Sequence, residues 1–338
     1  MRCPEPNELP SKPREINSWP WTSELGSKTG KTNAFKQLPT ISIVTPSYNQ
    51  GRYIEETIRS VLLQGYPNLE YIIIDGRSTD NTIEIIKKYE PWLTYWVSEK
   101  DNGQSHAINK GFSIATGEWL GWINSDDMLA PNALLLASFN LNNGNSQVIA
   151  GASEWINEKY ETVLKYPACP IKSERMLKIW DDEGRIVPAS QASIIFDRNL
   201  LMEIGPIRED LDFVMDWELW LRFYAKGVKW KYIEEVFSYI RRHDEQKTSE
   251  KYLHKKFREM QKVFLQYSCD RRILTKWQNF YLRFEYARKG WTHRNYCRSH
   301  LEMISDIARN PLPFLDFSFY NLLFSALLKY IAFKKSCE

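Results

Sequence analysis

The chain has 338 residues, 43% hydrophobic and 26% charged, with a formal net charge of +3. That size supports a substantial core, and so small a net charge demands no nucleic-acid partner. The five cysteines (Cys3, Cys169, Cys269, Cys297, Cys337) are scattered, odd in number and form no CxxC pair. This argues against a disulfide framework and a zinc site and fits a reducing cytoplasm.

Residues 1–39 are rich in Pro, Ser, Lys and Asn without periodicity, and read as an extended or partly disordered arm with no signal-peptide core. From Ile41 the pattern changes. "ISIVTP" is a short β-branched strand. "RYIEETIRSVLLQ" places Ile54, Ile58, Val61 and Leu62 on one helical face. "YIIIDG" is an apolar run without alternation, as in a strand covered on both sides. "STDNTIEIIKKYE" opens with capping residues and continues as a helix. "LTYWVSE" is a third strand, "GQSHAINKGFSIAT" a third helix and "EWLGWIN" a fourth strand. Strands alternating with helices at short spacing predict βαβ units and a mostly parallel central sheet flanked by helices.

Beyond Ser153 the pattern loosens. "VPASQASIIFDRNLLMEIGPIRED" reads as strand, short helix and turn. "DWELWLRFYAKG" reads as a helix closed by Gly227, and "WKYIEEVFSYIRRH" as two short strands. From about residue 250 the chain turns helical and basic. Its last stretch, "PFLDFSFYNLLFSALLKYIAFKK", is apolar and aromatic. It reads either as helices packed on the core or as a segment lying in a membrane interface over 312–335, since Asp316, Asn321 and Lys329 argue against spanning.

In parallel sheets ligands bind beyond the carboxyl ends of the strands. Thr45 and Pro46, Asp75 and Gly76, Glu99 and Asp101, and Asp126 and Asp127 all fall at predicted strand ends. Asp126 and Asp127 read either as a cap for the helix in "PNALLLASF", with Pro131 in its first turn, or as carboxylates for Mg²⁺ or Mn²⁺. Asp75 reads as turn chemistry or as a nucleotide contact, and Asp80 as a helix cap. "EKDNGQSHAINKG" is a loop entering a helix, either a solvated turn or a phosphate- or base-facing loop with Gly103 allowing close approach. His106 is structural or catalytic. Asp216 is an N-cap or a general base. Trp217, Trp220, Leu221 and Tyr224 form a core-facing stripe, and Glu218, two positions on from Asp216, points elsewhere on the helix than Asp216. Arg241, Arg242, His243 and Lys247 form either a solvated edge or a clamp for diphosphate charge.

As an ordered set, "SIVTPSYNQGRYIEETIRSVLLQGYPNLEYIIIDGRSTDNT", "DNGQSHAINKGFSIATGEWLGWINSDD" and "MDWELWLRF" with the following "RRH" resemble the family 2 glycosyltransferases of GT-A fold, over roughly residues 40–248. The resemblance implies an α/β GT-A nucleotide-sugar-binding domain over 40–248, between the arm at 1–39 and a C-terminal helical region at 249–338. It implies that Thr45, Pro46 and Tyr48 line the base pocket, that Asp75 contacts base or ribose, and that Asp101, Gly103 and Lys110 lie along the nucleotide. It assigns Asp126 to the ribose side, Asp127 to a divalent metal (Mn²⁺ or Mg²⁺), His243 to metal or diphosphate, and Asp216 to the general base. Two positions depart from the pattern: Met215 stands where an acid precedes the base, and His106 where Asp is usual.

The implied reaction is inverting transfer, of hexosyltransferase type, from a UDP-, GDP- or dTDP-sugar to a glycan or lipid-linked glycan acceptor. The setting would be cell-surface polysaccharide or glycolipid synthesis at the inner face of the plasma membrane. A non-catalytic nucleotide-sugar-binding or scaffold protein of the same fold is the alternative. A nucleotidyltransferase would begin with a Gly-rich basic loop where this chain has "TPSYNQGRY". A glycoside hydrolase would not explain the nucleotide-type strand ends.

Overall fold

A computed structural model describes residues 3–11, 18–22, 38–141, 146–177, 187–247 and 252–267. The first half is built of βαβ units. Strand β1 (Ile41–Ser47) leads to α1 (Ile54–Leu62), β2 (Leu69–Asp75) to α2 (Thr82–Tyr89), and β3 (Tyr95–Ser98) to α3 (Gln104–Ile114), followed by β4 (Trp119–Trp122). All their pairings, β1 with β2, β1 with β4 and β2 with β3, are parallel, so the carboxyl ends of β1 to β4 share one rim. Every residue of β1 and β2 is buried, as an unalternating apolar run requires of a strand covered on both faces. Ile54, Ile58, Val61 and Leu62 of α1 are all fully buried. The N-cap of α2 is Asn81, and Asp80, one residue before it, accepts the Thr82 N–H at 3.0 Å.

The second half adds β5 (Met128–Leu129), α4 (Ala133–Leu141), β6 (Val148–Ile156), β7 (Thr162–Tyr166), α5 (Ser173–Met176), β8 (Ile194–Asp197), α6 (Arg198–Ile204), α7 (Met215–Lys226), β9 (Trp230–Arg241) and α8 (Leu253–Tyr267). The nine strands of the described residues make one sheet in the order β3-β2-β1-β4-β8-β6-β9-β5, with β7 on β6. Here parallel β6–β9 stands among the antiparallel pairs β4–β8, β6–β8, β6–β7 and β5–β9.

Three expectations need correction. The stretch read as two short strands is the single twelve-residue β9. Its register against β6 slips between Ile233, opposite Gly151, and Val236, opposite Ala152, so Glu234 and Glu235 bulge outward, exposed. The helix after Pro131 begins at Ala133, and β5 lies between it and the acidic pair, so neither Asp126 nor Asp127 caps it. The N-cap of α7 is Val214, leaving Asp216 inside the first turn.

Aromatic packing joins α7 to the sheet. Trp122 stacks on Trp220 with centroids 5.7 Å apart, and Phe196 meets both edge-on. Trp217 donates its indole N–H to the Met176 carbonyl at 2.8 Å. Gly227 then closes α7 in the left-handed conformation, φ 73°. Glu218 points into the protein. It is 1% exposed and accepts from Tyr267 of α8 at 2.6 Å and from Arg222 at 3.1 Å.

Within the N-terminal arm, Leu9, Trp19 and Trp21 are buried, and the Trp19 indole donates to the Leu129 carbonyl at 2.8 Å. No helix among the described residues is long and apolar enough to cross a membrane. The stretch at 312–335 lies outside the described residues.

Candidate functional site

The shared rim gathers most of the predicted side chains. On β1, Thr45 is fully buried and its hydroxyl pairs with that of Tyr71 at 3.1 Å. Pro46 is also buried, whereas Tyr48, just past the strand end, is 59% exposed and is the one of the three open to a ligand. At the end of β2, Asp75 is fully buried. Its carboxylate accepts from Ser98 Oγ at 2.6 Å, from the Ser78 N–H at 2.9 Å and from the Ser78 hydroxyl. Those bonds pin the β2 and β3 ends together.

Past β3, Asp101 accepts the Gly103 N–H at 2.9 Å. Gly103 is the N-cap of α3 with φ 110°, a conformation that favours glycine. The predicted third helix begins at Gln104, and Lys110 on it is ion-paired with Glu99. His106 is half-buried, with its Nδ1 buried and unpaired.

The acidic pair sits in the turn between β4 and β5. Asp127 is 5% exposed. One carboxylate oxygen accepts the Arg241 backbone N–H at 3.0 Å. Burial, with the Asp126 charge second, pushes the Asp127 carboxyl well above the usual carboxylate range. The Asp126 side chain is more open, 20% exposed, and its Oδ2 lies 3.0 Å from His243 Nε2. The His243 ring packs on Tyr53 with centroids 4.7 Å apart, and its Nδ1 is buried without a partner.

Arg241 does not act as a free clamp. It is 5% exposed, ion-paired with Glu56, and its Nε donates to the Asp126 carbonyl at 3.1 Å. Neither a solvated edge nor a diphosphate clamp describes it. Arg242 instead lies over Trp155, 5.5 Å from the ring centre.

The start of α7 joins the same rim. The Ser105 hydroxyl donates to the Leu211 carbonyl at 3.0 Å, and Gln104 donates to Asn124 of the acidic turn at 2.7 Å. Lys247 donates to the Asp212 carbonyl at 3.0 Å. Desolvation lowers the Lys247 pKa, while the charges of Asp212, Glu259, Asp126 and Asp101 oppose that shift. One ammonium thus senses acids from three of the converging segments. Asp216 is half-buried and accepts its neighbour Trp217 N–H at 2.8 Å. Burial raises its pKa, against the pull of that bond and of Lys256, which makes it a stronger base than an ordinary carboxylate.

Glu56, Tyr53 and Asn124 were not visible as site residues in the sequence. Glu56 and Tyr53 join the site through Arg241 and His243, far along the chain, and Asn124, two residues before Asp126, through its contact with Gln104.

Among the described residues no group of three or more His, Cys, Asp or Glu is arranged to hold a metal. The acidic turn nonetheless suits a hard cation. Its donors are carboxylate oxygens, and the nearest guanidinium is committed to Glu56. Mg²⁺ and Mn²⁺ commonly take only one or two protein carboxylates, the rest of the shell coming from phosphates and water.

Residues 42–204 match the family model described as Glycosyl transferase family 2. An uncharacterized glycosyltransferase of Rickettsia conorii is 28% identical over 193 residues, 54% of this chain and 31% of that protein. A protein of Bacillus subtilis named for teichuronic acid biosynthesis, the glycosyltransferase TuaG, is 40% identical over 92 residues, 26% of this chain and 36% of its own. The chain spans 31% of the length of the first curated relatives it matches.

Among solved structures, S. aureus TarS 1–349 in complex with UDP-GlcNAc aligns with TM-score 0.56 and 18% identity over 78% of this chain and 73% of that one. A mannosyltransferase from Pyrobaculum calidifontis in complex with GDP-Man and Mn²⁺ aligns with TM-score 0.52 and 18% identity, covering 87% and 81%. Residues 42–204 are therefore similar to family 2 glycosyltransferases, and the α/β fold is shared with the two solved structures.

Proposed function

We propose that this chain transfers a sugar from a nucleotide-sugar donor to an acceptor hydroxyl with inversion at the anomeric carbon, Asp216 acting as general base. The observation that carries this is the convergence on one rim of Asp101, the Asp126–Asp127 turn and the segment opening α7, linked through Gln104, Ser105 and Lys247.

In this reading Tyr48 stacks on the donor base, while Asp75 and Asp101 shape the wall against base and ribose. The amino end of α3, at Gly103, faces the diphosphate, with Lys110 along the nucleotide. Asp126 takes the ribose side. Asp127 and His243 are the residues that would hold a divalent ion, which when bound supplies positive charge to the leaving diphosphate. Asp216 withdraws the acceptor proton as its oxygen attacks, and its raised pKa favours that step. No covalent intermediate is required, so one carboxylate base suffices. The acceptor is a hydroxyl of a glycan or lipid-linked glycan in cell-surface polysaccharide synthesis, in keeping with the TuaG likeness. The cytoplasmic face of the membrane is the setting.

The test is a titration of the purified chain with UDP-, GDP- and dTDP-sugars in Mn²⁺ or Mg²⁺, followed by measurement of nucleoside diphosphate release with glycan acceptors. Saturable binding of one nucleotide class, with release that depends on acceptor, is expected. Absence of binding to all three would overturn the assignment, and binding without release would point to a non-catalytic protein.

A further inference from the structure

We infer that Glu56 is a positioning residue for the acidic turn, acting through Arg241 and held from its far side by the N-terminal segment. The inference rests on the site reading above and extends it to a part of the chain outside the matched domain.

Glu56 lies on α1 and is 8% exposed. Three donors converge on its carboxylate: the Arg241 guanidinium, the Tyr160 hydroxyl from the β6–β7 connection, and the Trp21 indole N–H at 3.3 Å. A buried site formed only of donors suits a carboxylate and nothing else of that size, since a glutamine would turn an NH₂ toward them. Arg241, so fixed, reaches the turn by backbone and side chain. Its N–H holds the Asp127 carboxylate and its Nε holds the Asp126 carbonyl. Thr57 Oγ1 donates to the Asp127 carbonyl of the turn at 2.7 Å, and Trp19 Nε1 to the Leu129 carbonyl of β5, just after it, at 2.8 Å.

The N-terminal segment is itself clamped. Arg59, 2% exposed, donates to the Pro10 and Pro20 carbonyls at 3.0 and 3.3 Å and lies over the Trp21 ring at 4.5 Å. Residues 18–22 are thus a strap behind the acidic turn. The chain uses it to hold two adjacent carboxylates that would otherwise spread apart by mutual repulsion.

The experiment compares full-length wild type, Glu56→Gln and Trp21→Phe. It measures UDP and GDP affinity in Mn²⁺, donor KM against kcat, thermal midpoint, and amide exchange over residues 124–130. Trp21→Phe keeps an aromatic ring beside Arg59 but removes the N–H together with part of the buried indole. Glu56→Gln is expected to weaken nucleotide binding about 10- to 100-fold, as loss of an outer partner does at metal sites. Exchange over 124–130 should quicken. Trp21→Phe should move both readouts in the same direction, with affinity down about two- to tenfold and a lowered midpoint from the truncated buried ring.

Lowered midpoints with unchanged affinity and unchanged exchange over 124–130 would make Glu56 merely structural and overturn the inference. If Glu56→Gln does not fold, Trp21→Phe decides by the same readouts. If wild type binds no nucleotide, the functional reading fails, while amide exchange over 124–130 still decides whether Glu56 positions the turn.

Discussion

Gly76 immediately follows Asp75, and its position leaves no room for a side chain. A Cβ there would stand 2.7 Å from Asp101 Oδ2 and 3.2 Å from Asp101 Cγ and Oδ1. In Gly76→Ala the carboxylate must withdraw by roughly half an ångström or more to recover ordinary contact. It then loosens its bond to the Gly103 N–H, now 2.9 Å, at the entry to α3. A hydrogen bond to a charged acceptor contributes about 1.5–3 kcal/mol, but Asp101 is half-exposed, so water recovers much of that. Replacing glycine also removes freedom from the unfolded chain, worth about 0.4–1 kcal/mol in the other direction. The net change in stability should stay within about 1 kcal/mol, a shift of about 2–4 °C in thermal midpoint for a domain of this size. In the proposed site the displaced groups would face the nucleotide, so its affinity should fall about tenfold. Calorimetric titration with UDP and GDP, beside thermal unfolding, separates the two. In an Asp101→Ala background the same methyl displaces no carboxylate, so its effect on affinity should largely vanish. An undiminished effect in that background, or a loss above about 3 kcal/mol with affinity intact, would refute the reasoning.

Gly111 on α3 faces β1, and a Cβ there would lie 2.4 Å from Val44 Cγ1 and 2.9 Å from Cγ2. Gly111→Ala should therefore cost about 1–2 kcal/mol net, overpacking outweighing the gain in helix propensity. Chemical denaturation of the single variants and of Gly111→Ala with Val44→Ala should show the cost relieved in the double variant. Asp210 is held well below the usual carboxylate range by Arg208 first and Lys262 of α8 second, while Arg208 also donates to Gln266 of α8 at 2.6 Å. A lowered carboxyl pKa stabilises the folded state above the unfolded value and loses that contribution as pH falls through the folded one. Amide exchange in α8 should thus quicken below about pH 4, modestly since the group is half-exposed, and Asp210→Asn should remove that acid step.

The sequence made the βαβ half legible because its signals are local. Unalternating apolar runs mark strands buried on both faces, and the face carrying Ile54, Ile58, Val61 and Leu62 marks a helix on the sheet. Strand ends carrying Asp75, Asp101 and the acidic turn followed from that topology. The rest depends on distant partners. Strand β5 is two residues long and exists because Met128 and Leu129 pair with Tyr239 and Ser238. The bulge at Glu234 and Glu235 hid the continuity of β9, and the partner strand accommodates it with Gly151, where a Cβ would strike the Phe237 ring at 2.2 Å. "RRH" looks like a surface charge run, yet Arg241 is buried because Glu56, 185 positions away, meets it. Such a pair leaves no trace in spacing or periodicity.

In the proposed reaction Asp216 removes the acceptor proton in a site assembled on this rim. Its sharpest test is Asp216→Asn, an isosteric change that keeps an oxygen to accept the Trp217 N–H. Donor affinity should stay within about twofold of wild type, with transfer reduced about 10²- to 10⁴-fold, read as nucleoside diphosphate release under saturating donor and acceptor. Undiminished transfer by the variant would contradict that role for Asp216.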